Sequence, residues 1–328
     1  MAKPKVAFYW NASCGGCEEA VVDLAEDLLK VADAVDIVFW PVALDFKKKD
    51  VENLKDNEIV ASFINGAVRT EEQKEMAELL RAKSQLVFAF GSCAHEGCIP
   101  GLANFTNRDE IFERVYKTTE STKNPEGIFP KVKTKVPEGE LTLPEFFDTV
   151  YTLDQTVEVD YYIPGCAPPP DIIMNAFTAL LEGNLPEKGS VLSPNIALCD
   201  ECDRNESKPE KLEIPEFNRV HQIEIDPEKC FLAQGIICMG ISTRSGCGQR
   251  CINVNMPCRG CFGPLDGVKD FGLRTMAGIA SIFALENEEN LSEEDLSKLM
   301  DKLVDPAGLF YMYSLPSSIL RRKRMEEK

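Results

Sequence analysis

Thirteen cysteines in 328 residues, most of them in short-spaced pairs, constrain this chain more than any other feature. They fall as Cys14-x-x-Cys17, then Cys93, Cys98 and Cys166 singly, then Cys199-x-x-Cys202, Cys230, Cys238, Cys247-x-x-x-Cys251 and Cys258-x-x-Cys261. In a reducing compartment such pairs mark metal or redox chemistry rather than structural disulfides. That compartment is the expected one, because Met1-Ala2-Lys3-Pro4-Lys5 runs straight into a strand-like segment without a leader pattern. With no apolar run long enough to span a bilayer, the expected location is the cytoplasm. Thirty-six Lys and Arg against fifty-four Asp and Glu leave a formal charge of −18. Such a charge repels phosphate backbones and anionic lipid, so neither nucleic acid nor membrane is an expected partner.

Residues 5–10, 36–40, 58–64, 85–90 and 157–163 are rich in β-branched and aromatic side chains and read as strands. Between them lie helical patterns. After Glu18 the apolar positions Val21, Leu24, Ala25, Leu28 and Val31 share one face; Thr70 with Gln73 opens a capped helix; residues 171–181 form another. Alternating strands and helices predict an α/β fold, a flavodoxin-like doubly wound parallel sheet, over residues 1–185. Residues 121–140 show no period and are expected to be an inserted loop or hairpin.

After a break near 183–186, residues 186–328 are expected to form an irregular C-terminal domain with helices, rich in candidate cluster ligands. Up to about Pro264 its apolar content is too low for folding on burial alone, and bound metal would supply the deficit. Residues 271–285 read as a buried helix, and Ser292 with Asp295 caps an amphipathic one through Leu296, Leu299, Met300 and Leu303. The final Arg321-Arg322-Lys323-Arg324 run reads as a solvated tail.

Cys14, Cys17, Cys93 and Cys166 each follow a predicted strand. A parallel sheet gathers the carboxyl ends of its strands along one edge, so these four thiols should converge there. Cys14-Gly-Gly-Cys17 alone fits a thiol-disulfide oxidoreductase equally well, because a helix N-terminus follows it. Cys93 and Cys166 at matching strand ends favour an iron-sulfur cluster over that dithiol and over zinc. The eight cysteines of the second half, six of them in close pairs, make two further sets of four, although spacing alone neither assigns the partition nor excludes two zinc ribbons. Cys98 is expected to be a buried, hydrophobe-like thiol. Glu18 is favoured in a helix first turn, His95 is expected to orient the Cys93 loop, and His221 has no ligand role. No dinucleotide fingerprint is present.

Trp10-Asn11-Ala12-Ser13-Cys14-Gly15-Gly16-Cys17-Glu18, Gly91-Ser92-Cys93-Ala94, Ile99-Pro100-Gly101-Leu102 and Ile163-Pro164-Gly165-Cys166-Ala167-Pro168-Pro169 resemble the small subunits of nickel-iron hydrogenases. So do Cys230-Phe231-Leu232-Ala233-Gln234-Gly235, Arg244-Ser245-Gly246-Cys247-Gly248 and Met256-Pro257-Cys258-Arg259-Gly260-Cys261-Phe262-Gly263-Pro264. The resemblance covers nearly the whole chain and is nearest to the cytoplasmic branch of methyl-viologen-reducing (deazaflavin-non-reducing) enzymes and their gamma subunits. It implies three 4Fe-4S clusters: a proximal one on Cys14, Cys17, Cys93 and Cys166, a medial one on Cys247, Cys251, Cys258 and Cys261, and a distal one on Cys199, Cys202, Cys230 and Cys238. Cys199 stands where the periplasmic branch has a histidine, and Cys251 adds a thiolate where that branch holds a three-iron cluster. The implied function is electron relay between the nickel-iron centre of a separate large subunit and a downstream partner, either an iron-sulfur adaptor to a heterodisulfide reductase or a flavin subunit. Glu18 would assist proton passage. The related quinone-reductase subunit of respiratory complex I is the nearest alternative, but it has adjacent paired cysteines and lacks the second half.

Overall fold

Alternation along the first strand explains the layering: Val6 and Phe8 face one core while Ala7 faces another, as the two-residue period of a strand requires. The structure, a computed structural model, describes residues 3–212, 214, 216–282, 292, 294 and 301–320. Its strands are β1 (Lys5–Trp10), β2 (Asp36–Phe39), β3 (Ile59–Asn65), β4 (Val68–Thr70), β5 (Ser84–Phe90), β6 (Lys133–Val136), β7 (Gly139–Thr142), β8 (Phe146–Tyr151) and β9 (Tyr161–Ile163). Five of them form one sheet in the order β2-β1-β3-β5-β9, and every pairing in it is parallel. This is the flavodoxin-like order expected from the sequence, and its direction reverses between β1 and β3.

Helices cover both faces. Met76, Ala77 and Leu80 of helix Glu71–Lys83 pack on one, with Thr70 capping the helix by accepting from the Gln73 amide at 3.3 Å. Ala20 and Val21 of helix Gly16–Val22 and Ile173, Ala176 and Phe177 of helix Pro170–Glu182 pack on the other. There a row of rings crosses the strands: Phe8 lies 5.2 Å from Phe63, Phe63 4.8 Å from Phe88, and Phe88 5.2 Å from Tyr161, with Phe177 4.8 Å above Phe63. Offset ring pairs add about 0.5–1.5 kcal/mol each beyond their burial.

Three elements differ from expectation. The helix after Glu18 is two, Gly16–Val22 and Asp27–Ala34, because Ala25 takes a left-handed φ of 51° between them. The last strand starts at Tyr161 rather than Val157. The Val157 amide turns back to Leu153 O, and Asp160 is held as a buried carboxylate by Arg81 (2.6 Å) and Lys188 (2.5 Å). The insertion contains a β6-β7 hairpin, and β8 pairs antiparallel with β4, a ladder the sequence did not suggest.

The C-terminal half does gather an apolar cluster, with Leu198, Phe231, Ile236, Phe271, Phe310 and Tyr311 buried together, but Cys230, Cys238 and Cys258 are among its members. The helix expected at 271–285 spans Phe271–Ser281. Most of the helix expected after Ser292, and the 321–324 tail, lie outside the described residues.

The two halves are fastened under the Cys93 loop. Phe262, Cys247 and Cys261 pack on the aromatic core of the sheet, and Ser92 Oγ donates to Cys261 O. Arg244, almost wholly buried, braces the second half internally, donating to Pro264 O (3.2 Å), Ser193 O (3.4 Å) and the Asp266 carboxylate. Gln155 donates to Pro316 O at 2.8 Å.

Candidate metal centre

The loops after β1, β5 and β9 bring Cys14, Cys17, Cys93 and Cys166 to one crevice beside the β1/β3 reversal. Burial pushes the Cys17 thiol well above the ordinary thiol range, and neighbouring Cys93, Cys166 and Cys14 push the same way. Thiols that oppose one another's ionisation in an apolar setting become stable thiolates only beside compensating positive charge, which a metal core supplies. At Cys166 the Cys98 hydrogen bond acts the other way and lowers the pKa to about 7. Cys14 and Cys166 are the exposed members and Cys17 and Cys93 the buried ones, so the crevice opens outward.

Glu18 is buried at the foot of the same crevice. Trp40 Nε1 and Asn65 Nδ2 donate to its two carboxylate oxygens. Burial raises its pKa while these two donors oppose the rise. Neither donor was foreseen; the legible signal was a polar Asn65 closing the otherwise apolar end of β3.

The other eight thiols form a continuous file. Cys199, Cys202, Cys230 and Cys238 line one small cavity together with Arg204 and Lys208. Burial lifts Cys199 to about 11, opposed by a Lys208 ammonium that hydrogen-bonds its sulfur. Cys247, Cys251, Cys258 and Cys261 neighbour one another: burial lifts Cys258 and Cys261 each to about 12, and Cys247 pushes both further. Two junctions join the sets. Cys166 neighbours Cys261, its main-chain N–H lowering and its thiol raising the Cys261 pKa, and the Cys258 N–H donates to Cys238 Sγ at 3.3 Å.

These neighbourhoods are a fit for four-thiolate groups, since each of the three sets supplies the donor number a cubane takes. Near two of them, the buried Asn11 amide and Ser245 hydroxyl find no hydrogen-bond partner among the described residues. Among the described residues no three His, Cys, Asp or Glu side chains are gathered around a point fit for a single ion.

His95 packs its ring 4.5 Å from Tyr162, and burial lowers its pKa to about 4, so it serves as a neutral prop for the Cys93 loop. His221 lines a groove with Phe217, Leu309 and Met312. Cys98, expected to be a filler, lies with its Sγ 3.8 Å from Cys166 Sγ.

Beneath the loop, Glu96 is buried with Ser317 Oγ donating to Oε2 at 2.6 Å and His95 Nε2 3.4 Å from Oε1. Burial raises its pKa from 4.5 to about 7, the Ser317 hydrogen bond opposing. A folded-state value above the unfolded one means stabilisation that is complete below pH 4.5 and lost as pH rises through 7. The Glu96→Gln variant is expected to lose this slope, worth up to about 3 kcal/mol. Thermal unfolding across that pH range checks it: an unchanged slope in the variant would assign the dependence to other groups.

The sequence model of a family described as "NADH ubiquinone oxidoreductase, 20 Kd subunit" matches residues 14–180, the sheet half with its four strand-end cysteines. The F420-non-reducing hydrogenase iron-sulfur subunit of Archaeoglobus profundus is 40% identical over 97% of this chain and 98% of its own length. This chain belongs to the family of F420-non-reducing hydrogenase iron-sulfur subunits. The matching F420-non-reducing hydrogenase subunit of Methanothermobacter marburgensis is 33% identical over 99% of this chain and 98% of that one. Likeness to these hydrogenase subunits therefore runs through the second cysteine-rich half, beyond the segment that the 20 kDa family model covers. In fold, the chain is similar to the [NiFeSe] hydrogenase of Desulfovibrio vulgaris Hildenborough (TM-score 0.50, 18% identity, 87% of this chain and 99% of that one). A [NiFeSe]-hydrogenase chain of Dm. baculatum gives a TM-score of 0.51 at 17% identity, over 87% of this chain and 100% of that one. Among the described residues no helix is long and apolar enough to cross a membrane.

Proposed function

We propose that this member of the F420-non-reducing hydrogenase family is the electron-relay subunit of a nickel-iron hydrogenase, with the hydrogen-splitting centre on a partner large subunit. The observation that carries the reading is the run of neighbouring thiols, with Cys166 beside Cys261 and the Cys258 N–H donating to Cys238 Sγ at 3.3 Å. Three 4Fe-4S clusters are assigned to it, on Cys14, Cys17, Cys93 and Cys166, on Cys247, Cys251, Cys258 and Cys261, and on Cys199, Cys202, Cys230 and Cys238. Bound iron-sulfur clusters supply reversible one-electron storage.

The chain supplies the rest. Its buried Phe262, Phe231 and Ile252 exclude water around the ligand loops, and N–H donors at the junctions temper the charge on the sulfurs they face. Lys208 beside Cys199 places positive charge at the far end of the file. That charge favours the reduced form there and so draws electrons outward. Glu18, clasped by Trp40 and Asn65, is the candidate for proton passage from the partner's centre. The acceptor is an iron-sulfur adaptor to a heterodisulfide reductase or a flavin subunit, and the assembly is cytoplasmic.

Anaerobic purification with the partner chains tests this. About twelve irons and as many acid-labile sulfides should accompany each copy of this chain, and dihydrogen should bleach its visible absorption. Zinc without iron, or iron that dihydrogen leaves oxidised, would exclude the relay.

A further inference from the structure

Cys98 is wholly buried, and its sulfur is turned toward Cys166, 3.8 Å away, with Cys93 also within hydrogen-bonding reach. The backbone is arranged to put it there. Gly97 (φ +90°) turns the chain after Glu96, and Cys98 itself takes φ +46°, a left-handed conformation that side-chain-bearing residues rarely adopt. The Cys98 N–H is held by Tyr313 O at 3.0 Å. Pro316 packs so closely that a Cβ on either Gly97 or Gly101 would fall 2.2 Å from its ring. A side chain that only filled space would gain nothing from this conformation, since an apolar residue on relaxed backbone would fill it as well.

Resting on the reading that Cys14, Cys17, Cys93 and Cys166 hold a cluster, we propose that Cys98 is a positioning thiol for that site. Its S–H donates to the Cys166 sulfur and stabilises the reduced form of the group held there. The physical reason is charge: reduction adds an electron whose density spreads onto the ligand sulfurs, and a donor aimed at one of them stabilises that density. Burial keeps the donor dry, so the hydrogen bond acts in a low-dielectric setting where it is strongest. The sulfur lies on the flank of Cys166, the residue whose N–H also reaches Cys261. Cys98 therefore acts at the junction between the first and second thiol sets.

The test is a redox titration monitored by paramagnetic resonance, on the complete anaerobic complex carrying wild-type chain, Cys98→Ala or Cys98→Ser, with iron and sulfide counted in each. Iron and sulfide should be equal in all three. The alanine variant should disfavour reduction of one cluster about tenfold, a shift of about 59 mV to lower potential for one electron. The serine variant, which keeps a donor, should stay near wild type. An unmoved potential in Cys98→Ala with full iron would overturn the proposal and leave Cys98 as packing. Loss of one cluster's iron from either variant would overturn it in favour of a ligand role. Iron-free wild-type complex would instead remove the site reading itself, and the proposal with it.

Discussion

The Gly91→Ala variant is expected to fold yet lose about four of roughly twelve irons. Gly91 follows β5 at φ +83°, and a Cβ there would lie 2.4 Å from Cys17 Sγ. Two costs arise together. With φ +83° and ψ 164° the backbone is in an extended positive-φ region where an alanine costs about 1–3 kcal/mol, and, more decisively, the methyl occupies the space of a sulfur. The sulfur can leave only by carrying its loop away from Cys93 and Cys166. The sheet beneath does not change, so far-ultraviolet circular dichroism should match wild type while iron and sulfide fall. Dihydrogen-driven reduction of the remaining clusters should stop, since the missing group is the first in the file. A Gly91→Ala chain with full iron would refute the placement of Cys17 in that site.

Cys238→Ala should separate the two ends of the relay. Cys238 lines the cavity it shares with Cys199, Cys202 and Cys230, and its sulfur accepts the Cys258 N–H. Its removal deletes a ligand from the far set and strands an N–H beside the middle one, a buried donor whose lost partner costs about 1–3 kcal/mol. The expected complex still oxidises dihydrogen and still reduces its first two clusters. Delivery to an external acceptor is lost, with about four irons missing. Paramagnetic resonance of the hydrogen-reduced complex, read beside acceptor turnover, checks both halves of the statement. Retained acceptor reduction would mean that electrons leave from an earlier point and that the cavity is not the exit.

The contrast between these variants reflects how the site is assembled. Cys14, Cys93 and Cys166 stand far apart in sequence, but each follows a run of strand-forming residues. The rule that parallel strands end along one edge was enough to bring them together on paper. The sheet order bears out the expected fold, because β1, β3 and β5 are strong runs of strand-forming residues and Thr70 with Gln73 caps the long helix Glu71–Lys83. The same periodicity failed at Ala25 and Val157. There a left-handed residue and a turn back to Leu153 O override an otherwise continuous pattern, and neither leaves a local apolar signature.

Strand patterns and strand ends were thus sufficient for a doubly wound sheet and for four thiols converging at its edge, while cysteine count allowed two further sets of four without assigning them. Those features are written in local residue types and in a topological rule, so they can be read from one chain. The Trp40 and Asn65 clasp on Glu18, the Lys208 contact with Cys199 and the aim of Cys98 at Cys166 were not legible. Each depends on which side chains meet across loops without periodicity, and on backbone angles at single residues. Such contacts form only when segments far apart in sequence pack on one another, so tertiary structure alone decides them.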